Sequence, residues 1–208
     1  MAKTNKEVDH STEEKIKKAA RTIFHKKGFS ATRTRDIADE AGINLALLNY
    51  YFRSKEKLFD IIMLETLQAF LQSIMQTLNN ENTSLENKIE IIAGNYIDLL
   101  TAEPDIPLFI MSELKSNPHE LLDKMGIKNV LMNSHFFKQY FLAMQEGRIA
   151  SIHPLHFIMN LMGLTVFPFI ASPLLKGLGN LSDKDFESLV QQRKAMIPVW
   201  MKAILGTR

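Results

Sequence analysis

The sequence predicts an all-α protein, with an N-terminal three-helix helix-turn-helix domain and a larger C-terminal helical body, about nine helices together. Three observations carry this reading. Apolar residues recur at three- and four-residue spacing nearly throughout, and no segment alternates as a strand does. Helix-start and helix-stop residues fall between those runs. Two short periodic runs meet at Gly42, a residue free to take the left-handed backbone of a tight helix–helix turn.

The elements follow in order. Ile16, Ala19, Ala20, Ile23 and Phe24 form one stripe of a first helix, with Ser11 and Glu14 spaced as a capping box before it and Gly28 as its stop. A short helix runs from about Arg33 to Ala41 with Thr32 as N-cap, and after Gly42 a third runs from Leu45 to about Phe52 with Asn44 as N-cap. Ser54 caps a long fourth helix that carries Leu58, Phe59, Ile62, Met63, Thr66, Ala69 and Phe70 inward. The polar run 79–84 is a loop. A fifth helix bears Leu85, Ile89, Ile92, Tyr96 and Leu99, and a short one between Pro104 and Asn117-Pro118 holds Leu108, Phe109, Met111 and Leu114. A long helix from near Ile127 to Glu146 ends at Gly147. The apolar helix from about Pro154 to Leu175 follows, kinked by Pro168, then a loop from Lys176 to Asn180. Ser182 with Asp185 caps the last helix. The domains are expected at 11–57 and 58–208, with the seam in the fourth helix.

Composition and charge narrow the function. The chain of 208 residues is 46% apolar and 23% charged, as ordinary globular proteins are. It has no cysteine, which excludes disulfides, thiolate chemistry and cysteine-bound zinc. The net charge of +2 hides a split: residues 1–60 hold 13 Lys and Arg against 9 Asp and Glu, so the N-terminal part is basic and the remainder slightly acidic. A basic end on an acidic body points to two jobs, one facing an anion. No apolar leader opens the sequence. Residues 157–175 hold no charge over 19 positions, but Asn160, Gly163, Pro168, Ser172 and Pro173 interrupt them, which favours a buried interface helix over a membrane span.

Residues 32–59 carry the functional signal. Ile37, Ala38, Ala41, Ile43 and Leu48 pack two short helices around Gly42, the layout of a helix-turn-helix whose second helix enters the DNA major groove. On that helix Asn49 can bond adenine and Tyr50 can reach phosphate or a thymine methyl. Leu45 and Leu47 are apolar where a reading helix is often polar, as suits thymine methyls. Arg33, Thr34 and Arg35 open the preceding helix, placed to clamp the backbone. Lys55 opposes the dipole of the next helix, which makes sense where a phosphate also binds.

Residues 12–60 resemble the N-terminal DNA-binding domain of the TetR family of bacterial transcriptional regulators. The likeness rests on Phe24, Gly28-Phe29, Thr32, Asp36-Ile37-Ala38, Ala41-Gly42-Ile43, Leu48, Tyr51-Phe52, Ser54-Lys55-Glu56 and Leu58-Phe59. It implies DNA contacts at Thr34, Asn44, Leu45, Ala46, Asn49, Tyr50, Tyr51 and Lys55. Many members of the family have a basic residue where Leu45 stands, glycine where Ala46 stands and tyrosine where Asn49 stands, so the operator sequence is left open. The resemblance also implies a cytoplasmic homodimeric repressor on a palindromic operator of double-stranded DNA, released by a small apolar effector bound in the body.

The body agrees with this. It is rich in Met and Phe, whose flexible thioethers and flat rings suit an adaptable apolar pocket. Tyr96, Phe109, Phe141 and Met144 are the candidate lining residues. The last two long helices are wide enough in apolar surface to form a homodimer's four-helix bundle. No cofactor or metal site is expected: His153 and His156 have ligand spacing but no third partner, and Gly177-Leu178-Gly179 follows no strand. No nucleophile has a base placed by a motif, so no enzyme is expected. The alternatives are an all-helical ligand-binding protein or enzyme that keeps the fold without DNA binding, which would favour an acidic recognition helix that is not seen, and a membrane-attached regulator resting on residues 157–175 alone.

Overall fold

The computed structural model describes residues 2–116, 123 and 131–206, and their regular structure is helix, with no strand among them. Eleven helices are described: α1 (Ala2–Ala31), α2 (Thr34–Ala41), α3 (Leu45–Tyr51), α4 (Lys55–Asn79), α5 (Leu85–Ala102), α6 (Ile106–Ser116), α7 (His135–Gln145), α8 (Pro154–Thr165), α9 (Phe167–Ile170), α10 (Ser172–Gly179) and α11 (Asp183–Gly206). They divide into two compact units, Met1–Leu67 and Gln68–Arg208, so the first half of α4 belongs to the N-terminal unit.

In the N-terminal unit the α1 stripe is buried as its period requires: Ile16, Ala19, Ala20, Ile23 and Phe24 all face the core, with Leu58, Ile62 and Met63 of α4. Two expected caps are corrected. α1 starts at Ala2, and Ser11 lies inside it, because no glycine or proline breaks the polar run before it. Thr32 is not the N-cap of α2; Arg33 is, and the buried Thr32 hydroxyl instead donates to the Gly28 carbonyl at 2.8 Å. Gly28, at φ 73°, breaks the line of α1 before its last residues.

In the C-terminal unit one apolar cluster joins Ile89, Ile92, Ala93 and Ile97 of α5, Phe136, Phe137 and Tyr140 of α7, Phe157 and Leu161 of α8, and Ile197 and Met201 of α11. α11 packs most extensively on α5. The Ser182 cap forms as the sequence requires, Ser182 and Asp185 bonding reciprocally, and Ser84 caps α5, its Oγ accepting from Asn87 N–H at 3.2 Å. Ala69, expected inward, is exposed.

Two helices differ from expectation. The helix expected from Ile127 starts at His135, because Asn133-Ser134 favours a cap over a helix interior; residues 127–130 and Asn117-Pro118 lie outside the described residues. The single helix expected over 154–175 is three, α8 to α10, and the expected loop from Lys176 is helical to Gly179, where Asn180 at φ 48° ends it. Pro168 explains the first break. It has no N–H for the carbonyl four residues back, Leu164. The Arg193 guanidinium of α11 takes that carbonyl instead, at 2.8 and 3.2 Å, while lying 5.0 Å from the Trp200 ring centre. The charge-free stretch is therefore no single long helix. Only α4, among the described residues, is long and apolar enough to cross a membrane by length and composition. Its apolar residues are used in cores: Leu58, Ile62, Met63 and Leu67 in the N-terminal unit, Ile74 and Leu78 in the C-terminal one.

Candidate nucleic-acid interface

The interface is built by placing α3 rigidly on α2. Asp36 fixes the start of α2: its carboxylate accepts the Arg33 N–H at 3.0 Å and pairs with Lys27 at 3.1 Å. The Arg33 N–H first, and Lys27 second, hold its carboxyl below the usual aspartate range. Gly42 ends α2 at φ 61°, ψ 39°, with its N–H on Asp39 O and the Ile43 N–H on Ala38 O. A Cβ at Gly42 would meet only Lys15 Nζ at 4.0 Å, so the backbone angle, not space, demands glycine. Asn44 caps α3 as expected, its Oδ1 accepting from Leu47 N–H at 2.8 Å.

That placement sorts the faces of α3. Leu48 is fully buried and packs in the head with Ile37, Ala38 and Ala41, anchoring the helix by about 2 kcal/mol of apolar burial. Ala46, Asn49 and Tyr50 point outward, Tyr50 with 77% of its surface exposed and its ring edge-on to Tyr51 at 5.4 Å. Leu45, Thr34 and Tyr51 are half-buried at the margin, and Asn44 is exposed. Arg33, Arg35 and Arg53 are exposed around a helix that itself carries no charge. The outward face thus offers an amide, a phenol and apolar groups, rimmed by guanidinium groups.

Lys55 has an internal explanation that sequence reasoning missed. Its ammonium donates to Phe29 O at 2.9 Å and Thr32 O at 3.1 Å and lies 4.2 Å from the Phe29 ring centre. Carbonyls at and just past the end of α1 answer the cation that opposes the α4 dipole, leaving one N–H for any outside anion. Also missed was Lys17, nearly buried, which meets Glu13 and Glu14 at 3.1 Å and Glu65 at 2.7 Å, while Arg21 meets Glu65 at 2.6 Å. Burial alone would lower the lysine's pKa, and the three carboxylates outweigh it and raise it. The Glu13–Lys17 and Glu14–Lys17 spacings were visible in the sequence; Glu65, 48 residues away, was not.

The candidate pocket residues of the body fall in different places. Tyr96 and Met144 are half-buried against the apolar cluster, Tyr96 with its ring 4.7 Å from Phe70. Phe109 is buried on α6 and Phe141 is 40% exposed on α7. A groove of about 330 Å³ between the start of α5, Arg148-Ile149 and the end of α11 is lined by none of the four. His153 caps α8, its Nδ1 accepting from Leu155 N–H at 3.2 Å, and no metal-holding group of three ligands occurs among the described residues.

Known proteins are similar to this chain in sequence and in fold. Residues 16–62 match the family model described as bacterial regulatory proteins, tetR family. YttP of Bacillus subtilis, named a probable HTH-type transcriptional regulator, is 26% identical over 77% of this chain and 78% of its own. The HTH-type transcriptional repressor KstR2 of Mycolicibacterium smegmatis is 31% identical over 41% of this chain and 42% of its own length. The crystal structure of a TetR/AcrR-family regulator from Thermobifida fusca superposes with a TM-score of 0.65 at 18% identity, over 89% of this chain and 96% of that one.

Proposed function

We propose that the chain, whose residues 16–62 match the TetR-family model, is a cytoplasmic transcriptional repressor that binds a palindromic operator as a homodimer and leaves it when a small apolar effector occupies the body. The observation that carries the DNA reading is the two-faced α3: Leu48 sealed inward, Ala46, Asn49 and Tyr50 presented outward. Asn49 and Tyr50 read base edges, with Leu45, Ala46 and Tyr51 beside them. Arg33, Thr34, Arg35, Asn44 and the spare N–H of Lys55 hold phosphates. Residues 11–57 form the reading part and 58–208 the effector and dimer part.

Dimerisation is supported by apolar surface that no described residue covers. Leu155 and Met159 on α8, and Leu189, Met196 and Val199 on α11, are all exposed at helical spacing. Two copies bring the reading helices about 34–36 Å apart, one turn of DNA. An effector releases the operator only by binding better to a dimer of a different separation. Tyr96 and Met144 stand on the effector chamber, with Phe109 and Phe141 as further candidates.

Genomic selection for bound fragments, followed by anisotropy titration against the selected palindrome, tests this. Tyr50→Ala is expected to weaken binding roughly tenfold, and Lys55→Ala less, with a shallower salt slope. Failure to enrich any fragment overturns DNA binding, and unchanged affinity in both variants overturns the site.

A further inference from the structure

The chemistry of the outward face of α3 is narrow. Leu48 marks the buried side of the helix. At about 100° per residue, Ala46 and Tyr50 fall on the opposite side, one turn apart, and Asn49 flanks them on the ridge it shares with Leu45. From Leu45 to Tyr51 there is no carboxylate, ammonium or guanidinium. Asn49 is exposed, and its carboxamide has no hydrogen-bond partner among the described residues.

The polar and charged groups nearby are engaged or stand elsewhere. The Asn44 Oδ1 accepts the Leu47 N–H at 2.8 Å. The Lys55 ammonium is held by Phe29 O and Thr32 O at 2.9 and 3.1 Å. Lys27 pairs with Asp36 at 3.1 Å. The exposed Arg33 and Arg35 stand at the start of α2, the helix that crosses the DNA backbone in this motif. Arg53 follows the C-cap of α3, whereas the N-terminal residues of a recognition helix are the ones that meet base edges.

The bases differ in what they ask of such a face. Guanine is selected by a guanidinium or ammonium on O6 and N7, and the cytosine amine by a carboxylate; α3 has neither. Adenine sets an acceptor, N7, beside a donor, the N6 amine, and a carboxamide meets both at once. Tyr50 carries a single hydroxyl, which donates or accepts and so finds a partner on either kind of pair. The thymine methyl is met by apolar groups, which here are Leu45 and Ala46.

We propose that the core of each operator half-site is A·T-specific: Asn49 clasps one adenine through N6 and N7, Leu45 and Ala46 lie on the methyl groups of adjacent thymines, and α3 selects no guanine. This rests on the DNA reading above and names the sequence class of the DNA.

The full chain and the palindrome recovered by genomic selection test it by anisotropy titration, with single atoms altered on the DNA so that the native protein serves throughout the first arm. In one half-site, 7-deazaadenine replaces N7 by carbon and keeps the base pair, and uracil in place of thymine removes only the methyl. At one adenine, 7-deazaadenine is expected to weaken binding about tenfold, and uracil at neighbouring pairs about three- to fourfold each. In the second arm, Asn49→Ala is expected to bind the adenine and 7-deazaadenine forms equally, with its thermal midpoint kept because Asn49 is exposed. Leu45→Ala is expected to abolish the uracil effect at one pair. The proposal is overturned by 7-deazaadenine tolerated at every adenine, by a 7-deazaadenine effect that persists in Asn49→Ala, by uracil tolerated at every thymine, or by uracil effects untouched in Leu45→Ala. A recovered palindrome whose required positions are all G·C also overturns it and leaves the DNA reading standing. Enrichment of no fragment overturns both.

Discussion

Lys17 in the N-terminal unit and Lys88 in the C-terminal unit are both withdrawn from solvent, and the two units treat them oppositely. Lys17 is met by three carboxylates, which hold its proton more firmly than water does. Lys88 is fully buried and donates to the Gln139 amide oxygen at 2.7 Å, while the Gln139 Nε2–H donates to Thr83 O at 3.0 Å. Desolvation there outweighs the more distant Glu81, and its pKa is lowered. The head gains from its buried charge, while the body carries one at a cost and is held by its apolar cluster. The contrast teaches that burial of a lysine says nothing about stability until its acceptors are named.

The contrast breaks most sharply at Glu65. Glu65→Gln removes the carboxylate shared by Lys17 and Arg21 and is expected to cost the head about 2 kcal/mol, discounted for the partial exposure of Glu65. Urea unfolding should show the loss shrinking in high salt; a salt-independent loss would assign it to packing. Next, Arg193→Lys in the body replaces a two-pronged donor on the Leu164 carbonyl and leaves Trp200 without its guanidinium, at about 1.5 kcal/mol. That loss should be nearly indifferent to salt, and marked salt dependence would contradict the stated role. The smallest effect is alkaline. A lowered lysine pKa penalises folding while the group is charged in both states. Stability should therefore rise between the folded value of Lys88 and the ordinary lysine value near 10.4. Above that value the raised pKa of Lys17 works the other way, and its contribution fades. Lys88→Met should abolish the rise, as read by unfolding across alkaline pH, and a rise that survives it belongs to another group.

What the sequence made legible was local. The α1 stripe from Ile16 to Phe24, the Asn44, Ser54 and Ser182 caps and the Gly42 turn each depend on residues within four positions, and each formed. Pro168 announced a break in the apolar run but not its remedy, because Arg193 arrives from another helix, 29 residues past Leu164. Lys88 was invisible for the same reason: along α5 it reads as a polar position, and only Gln139 of α7 and the loop at Thr83 show that it is enclosed. At the candidate interface the outward residues of α3 followed from its period, whereas the second occupation of Lys55, by Phe29 and Thr32, followed from tertiary closure.

The two faces of α3 have a consequence for descent. Leu48 is locked into the head, so its replacement by a smaller residue costs the fold directly. Ala46, Asn49 and Tyr50 touch little of their own protein, and substitutions among ordinary helix-tolerant residues there stay within about 0.5 kcal/mol of neutral for folding. Selection can therefore retune what the outward face prefers, one position at a time, without a stabilising change elsewhere having to come first. Lineages of this chain are free to drift in target while remaining equally well folded.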